Sequence, residues 1–570
     1  MPDNARRLVL GLMPEDATPD DVLAAGPWCF LGVEDRFPDF ESTFTFAPEP
    51  LRDPCRLDAA EAAAKTLYAD ILEPLTATCF PEHANLPGAY WETLLAPWAF
   101  DVSRQIVERW ERIKAMTALW GDLPLTVATL PEDCTFAFAD EQSFTLHGAM
   151  GLVFNHWLLS RLLLARWPKA WQAETLPKTS WRSPTHPPAS ALGTLRQKLR
   201  DRLLSLPFPR LKGMTMSQAL RYSLALLHPS PGEDRSLSIR RTFGSQATGI
   251  ALDLPFDPMP IYVAALPLSL RNLSHPRRLD GTSAPRTRVA NILSYEDTGY
   301  RQRLAVWRGR GHRLAYVQHG SNYGQTRTTG LCQAVEYCHH AFVTWGWRRH
   351  GKSLGNFIPL PYPRLQRLVG TWKGDGDHVL LVGTEMSAFP YRLDSYPTPL
   401  QILDYRRDKA RFMEGLPEAL RPRVRYRPYF DVPGAFPDGP WLRARFPGVA
   451  LCTGPITPAM SSCRLLVVDH PGTTILEGLA AGIPMVLFWR PESWFMTPEA
   501  SDMLDCLRDA GIWYAHPGPA ARKVAEVLPD PAAWWNDAAV RKARATYAAM
   551  YALTVAGSED ESWLRTLKAL

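Results

Sequence analysis

The segment 465–488, LLVVDHPGTTILEGLAAGIPMVLF, constrains the fold more than any other stretch of the chain. Leu465 to Val468 form an apolar run of strand length, and the run ends in Asp469-His470. A turn of small residues, Gly472-Thr473-Thr474, feeds an apolar helix from Ile475 to Ala481. Gly482 ends that helix, and Pro484 leads into a second apolar run, Met485 to Phe488. Strand, turn, helix and strand in this order make one unit of a parallel sheet covered by helices.

The same alternation continues on both sides. Apolar runs at 379–383, 424–426, 449–452 and 512–514 predict further strands, with helices between most of them. Upstream, 289–294, 314–318 and 341–345 read as strands and 297–308 as a helix. Near the start, 7–13 and 28–33 read as strands. A helix is expected from Asp58, with Glu61 as its capping-box partner. A longer helix spans 89–119, and its stripe of Trp91, Leu94, Leu95, Trp98, Val102, Ile106, Trp110 and Ile113 reads as a packing face. Residues 150–167 read as a buried helix.

This pattern predicts an α/β protein of the GT-B type, with two Rossmann-like domains facing a cleft. The expected organisation is an N-terminal domain over 1–355, with a helical insertion at about 173–240. Pro359, Pro361 and Pro363 mark 356–376 as a linker. A second domain follows over 377–553, and 554–570 is a C-terminal helix. A length of 570 residues suits two or three cores.

Composition narrows the function classes. The net charge of +5 is too small for a dedicated nucleic-acid binder, though it suits an anionic ligand or an acidic membrane surface. The 9 cysteines show no CxxC spacing, which argues against a disulfide framework and a structural zinc site. No apolar run is long enough to span a membrane, and no signal-peptide pattern opens the chain. A cytoplasmic location, with peripheral contact at the inner membrane, is the expectation.

Four segments carry candidate chemistry. At the turn after 465–468, the helix N-terminus offers free amides and a positive dipole end to a phosphate. Gly472, Thr473 and Thr474 lie there, Asp469 and His470 precede it, and Glu477 stands one turn in, placed to accept from ribose hydroxyls. An ordinary strand-turn-helix unit with a Thr cap explains the same residues. In YVQHGSNYG, His319 follows a strand, where it would meet a phosphate or move a proton, unless it is a turn histidine satisfied by backbone. Glu296 and Asp297 end another strand and offer a nucleophile or general base, or else complement a helix dipole. Arg392 follows the 379–383 strand and is placed to clamp a phosphate or carboxylate, with a surface arginine as the plainer reading. No DxD-centred manganese site and no set of metal-ligand spacings is seen, so no metal and no cofactor beyond the donor are expected.

The runs Asn291-Ile-Leu-Ser-Tyr-Glu-Asp297, Gln318-His-Gly-Ser-Asn-Tyr-Gly324 and Phe342-Val-Thr-Trp-Gly-Trp347 occur in that order. With Tyr90-Trp91, Pro97-Trp98, Tyr391-Arg392, Tyr405, Thr473-Thr-Ile-Leu-Glu477 and Trp534-Trp535, they resemble bacterial transferases of surface-polysaccharide gene clusters. The likeness is weakest over about residues 173 to 260. That family distantly resembles retaining β-Kdo glycosyltransferases, which are GT-B enzymes using a CMP-linked donor. The resemblance implies transfer of a Kdo-like sugar from a nucleotide-sugar onto a glycan or lipid-linked glycan acceptor in lipopolysaccharide or capsule. It implies a donor site of Gln318, Tyr323, Arg392, His470, Gly472, Thr473, Thr474 and Glu477, with Asp297, Glu296 and His319 as catalytic candidates. Ser321 and Asn322 depart from the family's usual glycines. A non-catalytic glycan-binding or scaffolding protein on the same body is the alternative expectation, and a nucleotide-sugar epimerase or phosphoryl transferase a third.

Overall fold

The apolar runs at 379–382 and 465–468 form neighbouring parallel strands in which every residue is buried. Alternate side chains serve two different cores. Val379, Leu381, Leu465 and Val467 pack on one face, and Leu380, Val382, Leu466 and Val468 on the other. The structure is a computed structural model. It describes residues 6–183, 203, 206–228, 253–273, 276, 279, 286–349, 356–429 and 432–570.

Three larger parallel sheets organise the described residues. The first is built from β1 (Arg6–Val9), β2 (Val22–Ala24), β3 (Thr45–Phe46) and β4 (Leu125–Thr129). After β5 (Thr135–Ala137), β6 (Trp171–Thr175) completes it in the order β3-β2-β1-β4-β6, and β7 (Ser180–Arg182) pairs with β5 alone. The second holds β8 (Thr287–Ala290), β9 (Arg313–Val317), β10 (Ala341–Thr344) and β11 (Phe357–Pro359), in the order β11-β10-β9-β8. The third comprises β12 (Val379–Val382), β13 (Val424–Arg427), β14 (Ala450–Leu451), β15 (Leu465–Val468), β16 (Met485–Phe488) and β17 (Trp513–Tyr514). Its order, β14-β13-β12-β15-β16-β17, reverses between β12 and β15. That reversal opens a crevice outside the carboxyl ends of those two strands, where α/β sheets bind ligands.

The expected α/β class is present, and several details differ from expectation. Residues 1–355 carry two parallel sheets, because the second sheet shares its core with the third rather than with the first. The stretch expected as a linker contains β11 and the helix Pro363–Leu368, since Pro363 sits at a helix start where its missing N–H costs nothing. The run at 28–33 begins in a tight helical turn, Pro27–Phe30, and β2 lies just before it. The helix expected from Asp58 starts at Pro54, with Asp53 accepting from the Cys55 and Arg56 amides. Of the expected insertion, 184–202, 204–205 and 229–240 lie outside the described residues. The remainder includes β7 and the helix Met216–Leu227.

The long helix Gly88–Trp120 is buried on more than its apolar stripe. Arg104, Arg109 and Arg112 are at most 1% exposed. Arg104 pairs with Glu61 at 3.1 Å and also with Asp394, while Arg112 pairs with Glu49 at 2.9 Å and Glu108 at 2.7 Å. Buried charges persist when paired in this way. Asp394 lies in the loop after β12, so this network ties the first sheet's helix to the third sheet. The chain's last helix, Asp560–Ala569, returns to the second sheet. Its buried Trp563 stacks on Tyr222 and donates Nε1–H to the Pro361 carbonyl at 2.9 Å.

Candidate functional site

The turn after β15 is built around one carboxylate. Asp469 Oδ1 accepts from His470 Nδ1 at 2.9 Å, from the Thr384 amide at 3.2 Å and from the Tyr405 hydroxyl at 3.1 Å. Lys409 Nζ stands 3.7 Å from Oδ2. A carboxylate at Nδ1 holds the proton there and leaves Nε2 as the outward nitrogen. A Cβ on Gly472 would sit 2.2 Å from His470 Nε2, so only glycine leaves room for this imidazole. The helix Thr473–Ala481 then begins with no side chain capping it. The amides of Thr473 and Thr474 therefore belong to an N-terminus able to receive an anion. Glu477, expected at ribose, is 5% exposed and pairs with Arg364 Nε at 3.0 Å, with Lys212 at 3.8 Å.

The loop after β9 is fixed by Gln318. Its amide oxygen accepts from the Trp345 amide at 3.0 Å and Trp347 Nε1 at 2.8 Å, and its amino group donates to the Gly320 carbonyl at 2.7 Å. Gln318 thus spends its polar atoms on the loop itself. The next residue, His319, keeps 26% of its side chain exposed. Its Nδ1 lies 2.8 Å from the Tyr323 hydroxyl. That hydroxyl lies 2.7 Å from Glu336 Oε1, as does the Tyr295 hydroxyl. Sequence reasoning missed Glu336. It sits on a single π-helical turn, Gln333–Tyr337, inside an otherwise apolar run, and such turns often mark functional sites.

Burial sets the charge states here. It pushes the Glu336 carboxyl up to about 7, against the lowering effect of the Tyr295 and Tyr323 hydroxyls. It also pushes His319 down to about 3, with the Arg392 guanidinium adding to the fall. His319 is therefore a neutral imidazole at ordinary pH.

Arg392, in the loop after β12, lies over the Tyr391 ring at 5.0 Å. Its buried Nε has no hydrogen-bond partner among the described residues. Asp101 faces the same charge, and burial raises its carboxyl to about 6. Of the two carboxylates expected to be catalytic, Asp297 caps the helix Thr298–Gly309 by accepting from the Tyr300 amide at 2.7 Å, and Glu296 is exposed.

The loops meet. Ser321 Oγ donates to the Pro471 carbonyl at 2.8 Å, and Asn322 Nδ2 donates to the Tyr396 hydroxyl at 2.7 Å. Thr473 Oγ1 would lie 3.9 Å from a Cβ on Gly320. Beside them, a small pocket opens at the end of β12, lined by Thr384, Glu385, Met386, Tyr405 and Asp438. No cluster of three or more metal-ligating side chains occurs among the described residues. Nor does any helix among them have the length and apolarity to cross a membrane.

A family model described as LIC12162 family transferase matches residues 6–567. The chain belongs to the LIC12162 transferase family. A comparison with curated proteins gives no match. Among solved structures, this LIC12162 family member is similar to a variant of the wall teichoic acid polymerase TagF with CDPG, at 9% identity and a TM-score of 0.26. That match covers 45% of this chain and 66% of the other, just under two thirds of its length. Arabidopsis thaliana UGT89C1 complexed with UDP matches at 12% identity and a TM-score of 0.28, over 83% of this chain and 96% of the other. Phytolacca americana UGT2, complexed with UDP-2fluoro-glucose and pterostilbene, matches at 12% identity and a TM-score of 0.22, over 80% and 90%.

Proposed function

We propose that this transferase is a GT-B glycosyltransferase that moves an acidic sugar from a nucleotide donor onto a glycan acceptor. One observation carries the reading: the Ser321–Pro471 bond brings the His319 loop against the uncapped helix at Thr473. In this reading the donor phosphate sits at the Thr473 and Thr474 amides, with His470 Nε2 beside it. Arg392, whose Nε has no hydrogen-bond partner among the described residues, receives the sugar's carboxylate, which favours a Kdo-like ulosonic acid carried on CMP. His319, neutral at working pH, takes the proton from the acceptor hydroxyl. Tyr323 holds His319 from behind, and Gln318 holds the loop. Glu477 reaches the ribose once Arg364 turns to the phosphate. Glu296 and Asp297 remain candidates for a carboxylate nucleophile. The acceptor is a lipopolysaccharide or capsule glycan met at the inner membrane from the cytoplasmic side, and the chemistry needs no metal.

The test is a thermal-shift series with CMP, UDP and GDP and their sugar conjugates. At a hundred times the dissociation constant a bound donor adds about 2.7 kcal/mol of stability. CMP and its acidic-sugar conjugate are expected to raise the melting temperature most. A chain stabilised by none of the nucleotides would overturn the reading. Loss of turnover in Glu296→Gln or Asp297→Asn, with CMP binding kept, would identify the reacting carboxylate.

A further inference from the structure

Behind His319 lies a line of hydroxyl and carboxyl groups that leads away from the cleft. The Tyr323 hydroxyl lies 2.8 Å from His319 Nδ1, 3.1 Å from its Nε2 and 2.7 Å from Glu336 Oε1. The same oxygen accepts from Tyr295 at 2.7 Å, so Glu336 is held from two sides. Glu336 is 1% exposed and Tyr323 5%, so water has little access to this line. The buried Oε2 of Glu336 has no hydrogen-bond partner among the described residues.

Every neighbouring element presses on this carboxyl. Tyr295 comes from the helical turn Leu293–Glu296, Tyr316 from β9, and Cys332 from the turn Gly330–Cys332. Tyr337 shares its π-helical turn. Arg392 reaches His319 from the loop after β12. On the far side, Lys65 bonds Gln333 at 2.6 Å, and Glu61 lies against Gly330 but is claimed by Arg104. Among these groups only His319, once protonated, offers Glu336 a nearby cation, with Nδ1 4.0 Å from Oε2.

A neutral histidine that accepts a substrate proton becomes a cation in a site already holding Arg392. That state is costly unless the charge is passed on. We propose that Glu336, acting through Tyr323, receives the proton that His319 removes from the acceptor hydroxyl. This rests on the assignment of His319 as the base in the transfer reaction. The acceptor O–H proton moves to Nε2 of His319 once the ring turns that nitrogen from the Tyr323 hydroxyl towards the cleft. The Nδ1 proton moves to the Tyr323 oxygen, and the Tyr323 proton moves to Glu336 Oε1. The acceptor oxygen's electron pair forms the new bond to the sugar's anomeric carbon, and the bond from that carbon to its leaving group, the donor phosphate or an enzyme carboxylate that displaced it, breaks with its pair on that group. Glu336 ends neutral and His319 ends neutral with its tautomer reversed. Return of the Glu336 proton through Tyr323 to Nδ1, with loss of the Nε2 proton to solvent at the cleft, restores the resting state. The affinity of Glu336 for a proton, raised by burial to about 7, suits a group that must both accept and release it.

The experiment uses the full chain and begins without ligand. Ring nitrogen shifts of His319, assigned with His319→Asn, are followed against pH in wild type, Glu336→Gln and Tyr323→Phe. The infrared band of a protonated carboxyl is followed in parallel. In wild type the band should grow in as pH falls through neutrality, and the His319 shifts should move with it. Glu336→Gln should remove both changes. Tyr323→Phe, which keeps the ring stacked on Phe342, should keep the band and uncouple His319. With a CMP-linked ulosonic acid, both variants should lower kcat about 100-fold with KM nearly unchanged. His319 shifts that ignore the carboxyl titration in wild type would overturn the proposal. So would wild-type turnover and pH profile in both variants while His319→Asn is inactive. An active His319→Asn would instead overturn the assignment of the base. Unfolding curves for Glu336→Gln and Tyr323→Phe identify loss through misfolding, and the ligand-free titration of wild type decides the proposal even then.

Discussion

Ser321 Oγ donates to the carbonyl of Pro471 at 2.8 Å, joining the loop after β9 to the turn after β15. Both residues are buried, so water does not replace the bond when it is lost. Ser321→Ala should therefore cost about 1–2 kcal/mol in chemical denaturation. Ser321→Gly, which restores the residue usual in the resembling family, should cost slightly more through added freedom of the unfolded chain. Equal stability of wild type and both variants would mean that the loops are held together elsewhere.

Gly472 stands where it does because of His470. Its backbone is extended, so no left-handed conformation demands glycine. The demand is steric, from an imidazole nitrogen 2.2 Å from the position a Cβ would take. Gly472→Ala should force His470 off Asp469, cost about 1–3 kcal/mol and weaken CMP binding. Adding His470→Ala should recover most of the stability but not the binding. A double-mutant cycle with additive penalties would refute the coupling.

Arg392 is a partly buried cation whose Nε has no hydrogen-bond partner among the described residues, an arrangement that serves a ligand better than it serves the fold. Arg392→Gln should leave melting unchanged or slightly raised, and should weaken CMP-linked acidic sugars more than CMP itself. Removing this positive charge should also raise the proton affinity of His319, since Arg392 contributes to holding it down at about 3. Histidine shifts against pH and calorimetry with both ligands measure these effects.

Glu336 links stability to pH. Its folded carboxyl titrates at about 7 against an ordinary 4.5, so the native state binds the proton more tightly than the unfolded chain. Its contribution is complete below pH 4.5 and is lost as pH rises through 7, by about 3 kcal/mol in all. Glu336→Gln should remove that loss. The stability difference, variant minus wild type, should grow between pH 5 and 8 in parallel denaturation curves. A difference independent of pH would mean that Glu336 does not change its charge in this range.

The third sheet was legible because each of its strands is a short apolar run bounded by turns, and fully buried parallel strands look that way. The turn at 469–474 was legible for the same reason, since the strand ahead of it fixes where the loop emerges. Glu336 was not legible. One acid within QAVEY has no periodicity, and its meaning comes from Tyr295 and Tyr323, far away in sequence. Asp297 illustrates the opposite case: an acid before a helix was visible, and the structure gives it a capping bond. Arg104, Arg109 and Arg112 lie outside the apolar stripe of their helix, and pattern alone cannot tell that Glu61, Glu108 and Asp394 cover that side.

The Arg104 network makes the most demanding prediction. Its guanidinium faces Glu61, Asp101 and Asp394, and it carries the bond from the first sheet's helix to the loop that presents Arg392. Arg104→Met removes one charge and strands three carboxylates in the interior. At pH 8 the loss should be about 3–5 kcal/mol, as for other buried pairs broken on one side. The carboxylates can escape by taking up protons. Burial already holds the Asp101 carboxyl up at about 6 with Arg104 in place, and without that cation the native state should bind protons still more tightly. The penalty should therefore shrink as pH falls from 8 to 5, which paired urea titrations of variant and wild type would reveal. Because Asp394 lies two residues from Arg392, donor binding should fall in the same variant even where it is fully folded. Unaltered CMP affinity in folded Arg104→Met would mean that the helix Gly88–Trp120 supports the fold without positioning the site.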